Sequence, residues 1–139
     1  MVASTKGRGM YIYNDGGRVE AGLKSKTDCG IRAVSIACGM SYQDSRKLVK
    51  EYAKRGKQGS RAISSGIYKE DMDAALRSLG WKWFSAPKFD GRKARYSDIP
   101  ATAILRMAKH YAAVIDGTLH DSWDSSGKMV YGYWAKECS

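Results

Sequence analysis

Long apolar runs are missing from this 139-residue chain. None approaches the ~20 residues that a membrane-spanning helix needs, so no membrane partner is expected. The opening residues, Met1 to Gly9, are small, polar and basic. They lack the apolar stretch of a secretory signal and the amphipathic Arg-rich pattern of an organelle-targeting one. The expectation is a flexible basic tail over residues 1–9 on a cytoplasmic protein. Cysteine is scarce, with three residues, and histidine scarcer, with two. Cys29 and Cys38 fall on one expected helix, and at ~1.5 Å rise per residue they lie too far apart for a disulfide. No pair has the CxxC spacing of a metal site, so neither a metal nor a cofactor is expected. Acidic residues are few, 14 against 24 Lys and Arg, for a formal net charge of +10. That excess suits an acidic partner, either nucleic acid, an anionic surface or an acidic protein, or else a basic surface that is merely solvated. A hydrophobic content of 43% is ordinary for a globular protein. Residues 10–139 are enough for a single domain with its own core.

The most informative stretch is Thr27 to Gly39. Asp28 precedes an apolar run with helical spacing, as a capping residue would, and Gly39 suits the left-handed residue that ends a helix. Cys29 then sits on the first turn, where the helix dipole favours a thiolate. Taken alone, it also reads as a small apolar residue of a core helix. Before it, Met10 to Tyr13 reads as a strand, Asn14 to Gly17 as a turn, and Arg18 to Ala21 as a returning strand. After it, Ser41 to Asp44 resembles a capping box and opens a basic helix with Tyr42, Leu48, Val49 and Tyr52 at apolar positions, stopping near Gly56. Gly56 to Gly66 is a polar loop, long enough to act as a mobile flap. A third helix is expected over Lys69 to Leu79, with Gly80 ending it.

Beyond Gly80 the pattern turns to strands: Trp81 to Ala86, Ala101 to Met107, His110 to Ile115, Thr118 to Trp123 and Lys128 to Trp134. Pro87 to Tyr96 is a basic loop whose Lys88, Arg92, Lys93 and Arg95 are candidates for binding nucleic acid or an acidic partner. Helices first and strands last argue an α+β domain with segregated layers. Asp116-Gly117 is a two-residue hairpin signal, and it sets a register in which Ile115 faces Thr118 and Ala112 faces Asp121. His110 and Asp121 then share one sheet face as diagonal neighbours, with His120 on the other. A three-residue turn would instead put Asp124 opposite His110.

A cysteine at a helix start, a distant histidine at a strand start and a polar residue on the next strand form an order that resembles papain-like cysteine peptidases. His110-Tyr111-Ala112-Ala113-Val114 is similar to the family's His-Ala-Val motif, and Asp121-Ser122-Trp123 to its Asn-Ser-Trp motif. Asp28-Cys29, Arg32-Ala33, Gly39 and Tyr42 resemble the nucleophile helix of small papain-fold proteins of bacteria and phages. The resemblance covers residues 27–42 and 110–134 and little of the middle. It implies a papain-like α+β fold, with N-terminal helices packed on a C-terminal antiparallel sheet. Cys29 would be the nucleophile and His110 the general base. Asp121, or Asp124 in the other register, would orient the histidine. The reaction implied is attack on an amide or thioester carbonyl of a peptide or protein, ending in hydrolysis or acyl transfer, in the host cytoplasm if the chain is phage-encoded. Two positions depart from the family. Leu23 stands where it carries an oxyanion-stabilising glutamine, and Gly30 where it carries tryptophan after the cysteine. The backbone N–H of Cys29 supplies one oxyanion donor, leaving the other open between Asn14 and a further backbone N–H. The departures suit a second expectation, the same fold serving as a non-catalytic binding protein for nucleic acid or an acidic protein.

Overall fold

The computed structural model describes residues 10–17, 19, 28–59, 66–99 and 102–136. Of the returning strand expected over Arg18 to Ala21, only Val19 is among them, exposed and in a turn. Leu23, Cys138 and the centre of the Gly56–Gly66 loop lie outside them.

Among the described residues the architecture is α+β, with three α-helices and a six-stranded mixed sheet. The strands are β1 (Met10–Tyr13), β2 (Trp81–Ser85), β3 (Ala103–Met107), β4 (His110–Ile115), β5 (Thr118–Asp121) and β6 (Val130–Lys136). The helices are α1 (Cys29–Cys38), α2 (Tyr42–Arg55) and α3 (Lys69–Ser78). Across the sheet the order is β1-β5-β4-β3-β6-β2. Every pairing is antiparallel except β1 with β5, which is parallel. The expected all-antiparallel sheet is therefore corrected at one edge. β1 carries side-chain alternation but no signal of direction, and its partner lies more than a hundred residues away.

Local chemistry accounts for most element ends. Gly39 closes α1 with φ 67°, and its N–H bonds to the Ser35 carbonyl. Ser41 Oγ accepts the Asp44 N–H at 3.1 Å and opens α2. Asp116 and Gly117 take φ 49° and 84°, both positive as a type I′ turn requires. The β4–β5 register is the expected one, with Ile115 opposite Thr118 and Ala113 opposite His120. Asp28 departs from expectation. It stands at the N-cap position of α1, but its side chain makes no capping bond. Its carboxylate accepts instead from Arg32 and from the Tyr42 hydroxyl, since a charged partner outbids a neutral backbone N–H.

Two cores flank the sheet. On one face Ile31 and Val34 of α1, Val49 of α2 and Met72 and Leu76 of α3 pack with Ile104, Tyr111 and Trp134. On the other, Leu105, Met107, Val114, Leu119 and Val130 pack with Ala94, Tyr96 and Ile99. The segment expected as a basic loop thus closes the second face with Ala94 and Tyr96, while Phe89 and its basic side chains look outward. Each fully buried Leu, Met or Val contributes about 1.5–3 kcal/mol.

Candidate active site

Cys29 is the first residue of α1 and His110 the first of β4. Tyr111, the next residue of β4, packs in the same core as Ile31 and Val34 of α1. This seats the helix end against the strand end, with Cys29 and His110 on the wall of one cavity and close enough that each shifts the other's titration. His110 Nε2 meets Asp121 Oδ2 at 2.5 Å. With Nε2 so engaged, the other ring nitrogen is the one left for Cys29.

Asp121 is held from several directions. Ser125 Oγ donates to Oδ2 at 2.6 Å and the Ser122 N–H to Oδ1 at 2.7 Å. The Arg32 guanidinium stands 3.8 Å from Oδ1. The Asp121 carbonyl accepts the Asn14 N–H at 2.7 Å and the Tyr11 hydroxyl at 3.3 Å. Parallel β1 is thus the brace behind the third member of the site. Arg32 lies between two carboxylates, Asp28 and Asp121, and all three side chains are nearly inaccessible to water. Asp28, Arg32, Asp121 and His110 are buried and lead to the half-buried Cys29, a chain of alternating charge once the thiol has passed its proton to the ring.

The titration directions agree with that state. Burial lowers the proton affinity of His110, but hydrogen bonds that the ring donates to Asp121 and Cys29, and their negative charges, outweigh it and lift the ring to about 9. Burial also opposes a Cys29 thiolate. The His110 hydrogen bond and charge, the Tyr111 N–H and the charge of Arg32 overcome it, and the thiol titrates below its ordinary value. Cys38 is the contrast: burial pushes it up to about 11, which leaves it an unreactive thiol. His120 is lowered by burial and contacts Asn14 at 3.3 Å.

Asp124 does not join the site. It is exposed, and its carboxylate accepts from the Ser126 N–H at 3.1 Å. The two-residue turn sets a register that leaves it beyond the end of β5. Asn14, one of the two candidates for the second oxyanion donor, is committed elsewhere: Oδ1 accepts the Gly16 N–H and Nδ2 contacts His120. Of the basic loop, Lys88 and Lys93 are exposed, while Arg92 makes two bonds to the Asp98 carboxylate, at 2.9 and 3.0 Å, and lies over the Phe89 ring. Trp123 is 46% exposed, with its ring centre 4.9 Å from that of His110. There it covers the imidazole without being core.

Cys29 and His110 open on a cavity of about 540 Å³ walled by Ile67, Tyr68, Met107 and Tyr111. Gln58 also lines it, its amide donating to the Gly66 carbonyl at 3.0 Å. The roles missed from sequence are those of Arg32, Ser125 and the Tyr111 N–H. Arg32 four residues after Asp28 was the one signal present, since i and i+4 share a helix face. Among the described residues no group of three or more His, Cys, Asp and Glu is placed to hold a metal ion, and no helix is long and apolar enough to cross a membrane. Comparison with protein-family models, with curated proteins and with solved structures finds no match to this chain.

Proposed function

We propose that the protein is a papain-like cysteine hydrolase acting on an amide or thioester bond, with Cys29 as nucleophile, His110 as general base and acid, and Asp121 as the residue that orients and charges the ring. The observation that carries this reading is the Cys29–His110–Asp121 chain opening on a cavity large enough for a peptide side chain. The thiolate attacks the carbonyl carbon and forms a tetrahedral adduct. The His110 imidazolium gives its proton to the leaving amine or thiolate, and an acyl-enzyme remains. His110 then takes a proton from water, hydroxide attacks the acyl carbon, and the carboxylic acid departs with the thiolate restored. The start of α1 favours negative charge at Cys29, and its backbone N–H is a donor to the oxyanion.

The test is the rate of Cys29 alkylation by iodoacetamide from pH 4 to 9, with Cys38→Ala and Cys138→Ser in the background so that only Cys29 reports. A reactive plateau reaching well below pH 7, abolished in His110→Ala, is the expected result. A thiol titrating near ~8.5 in both proteins would sink the reading.

A further inference from the structure

Four basic side chains, Lys57, Lys69, Arg106 and Lys109, line the cavity beside Cys29, against one carboxylate, Glu70. They are not equivalent. Lys57 stands 3.5 Å from Glu70, and Lys69 lies 4.2 Å over the Trp83 ring. Arg106 and Lys109 have no carboxylate partner among the described residues. Arg106 lies directly opposite Tyr111 in the β3–β4 register. Its guanidinium lies 5.6 Å from the centre of the Tyr131 ring and lines the cavity, while the Tyr111 hydroxyl donates to the Ile67 carbonyl at 2.9 Å. Lys109 immediately precedes His110 in the two-residue turn that joins β3 to β4, and it takes φ 52°. Glycine or asparagine would adopt that backbone with less strain. The turn itself demands that conformation, and it leaves an exposed ammonium at the rim, one residue from His110.

Resting on the hydrolase reading, we infer that this cavity selects an acidic peptide, seating a Glu or Asp side chain next to the scissile bond against Arg106 and Lys109. Arg106 offers a planar fork suited to a carboxylate, and Lys109 a mobile point charge at the entrance. The cation field also draws anionic substrate toward the cleft. A carboxylate fits better than a neutral or basic side chain, because a basic one would meet four cations with a single acid to offset them.

The probe is a set of three tripeptidyl chloromethyl ketones, identical except for Glu, Gln or Lys beside the reactive carbon. They alkylate Cys29 without needing turnover. In the Cys38→Ala, Cys138→Ser background, the Glu reagent is expected to react about tenfold faster than Gln at low salt, a ratio typical of one well-placed charge pair, and Lys slower still. The ratio shrinks toward one in half-molar salt. Lys109→Gln and Arg106→Gln each lower the Glu/Gln ratio, and Lys109→Arg restores it. Lys47→Gln, the same charge change on an exposed position of α2, leaves it alone. A ratio near one, with iodoacetamide still reporting a low-pH thiolate, overturns the acidic-peptide assignment and spares the hydrolase. Loss of the low-pH thiolate overturns both. Protection of Cys29 by a DNA oligonucleotide, with no Glu preference, overturns the assignment in favour of a polyanion-binding cleft.

Discussion

Cys29 and His110 carry opposite shifts, and their effects on stability have opposite signs. His110 is raised from 6.5 to about 9, so its contribution is full below 6.5 and is lost as pH climbs through 9. Cys29 is lowered from 9.0, so its contribution is full above 9.0 and is lost as pH falls through the folded value. The two trends run in opposite directions, so in the wild type they partly balance each other. Cys29→Ala removes one half of that balance while Asp121 still bonds the ring. Its stability in urea is expected to fall as pH rises past 6.5, by up to about 1.4 kcal/mol per pH unit. A flat profile in Cys29→Ala would mean that His110 is not held protonated.

Elements bring these residues together, and two glycines show how tightly. A Cβ on Gly132 of β6 would lie 2.2 Å from the Trp83 ring and 2.8 Å from the Phe84 carbonyl on β2. Neither an indole packed edge-on against Trp134 nor a strand backbone can retreat. A Cβ on Gly30 of α1 would lie 2.6 Å from Met72 Cε, the far end of a flexible side chain. Gly132→Ala is therefore expected to destabilise by about 3 kcal/mol, the upper end for overpacking. Gly30→Ala, helped by alanine's helix preference, stays within about 1 kcal/mol. Chemical denaturation of both variants checks the order, and equal effects would contradict it. What could be read from the sequence divides along the same line of near and far. Gly39, Ser41 and Gly80 marked helix ends because capping is local. Asp116-Gly117 fixed the β4–β5 register, and with it His110 beside Asp121, because a two-residue turn leaves no freedom. The Asp121 brace was hidden, since parallel pairing of β1 with β5 leaves no trace in either strand's alternation. Asp28 read as a cap because Tyr42, its partner, belongs to the next helix. Tyr111 was invisible as a thiolate donor because the group that donates is its backbone.

Across the whole molecule, the net charge of +10 is distributed among groups with different freedom. Arg92 is tied to Asp98, while Lys88 and Lys93 stand exposed on the same loop. Any binding to duplex DNA should weaken with salt, and Lys88→Gln and Lys93→Gln should each reduce the log–log slope by about one unit. Arg92→Gln should reduce it less. Fluorescence anisotropy across a salt series reads these slopes, and equal effects at all three positions would contradict the assignment. The separation of the site along the chain has a further consequence, one of timing. His110 and Asp121 lie 11 residues apart on a tight hairpin, a unit that closes in microseconds. Cys29 belongs to a helix far upstream, and its contact with the hairpin is the slow, long-range step. On a ribosome the cysteine emerges long before the histidine exists. Until the last strands are made, Cys29 lacks the His110 partner that lowers its titration, so an unfinished or truncated copy carries only an ordinary thiol.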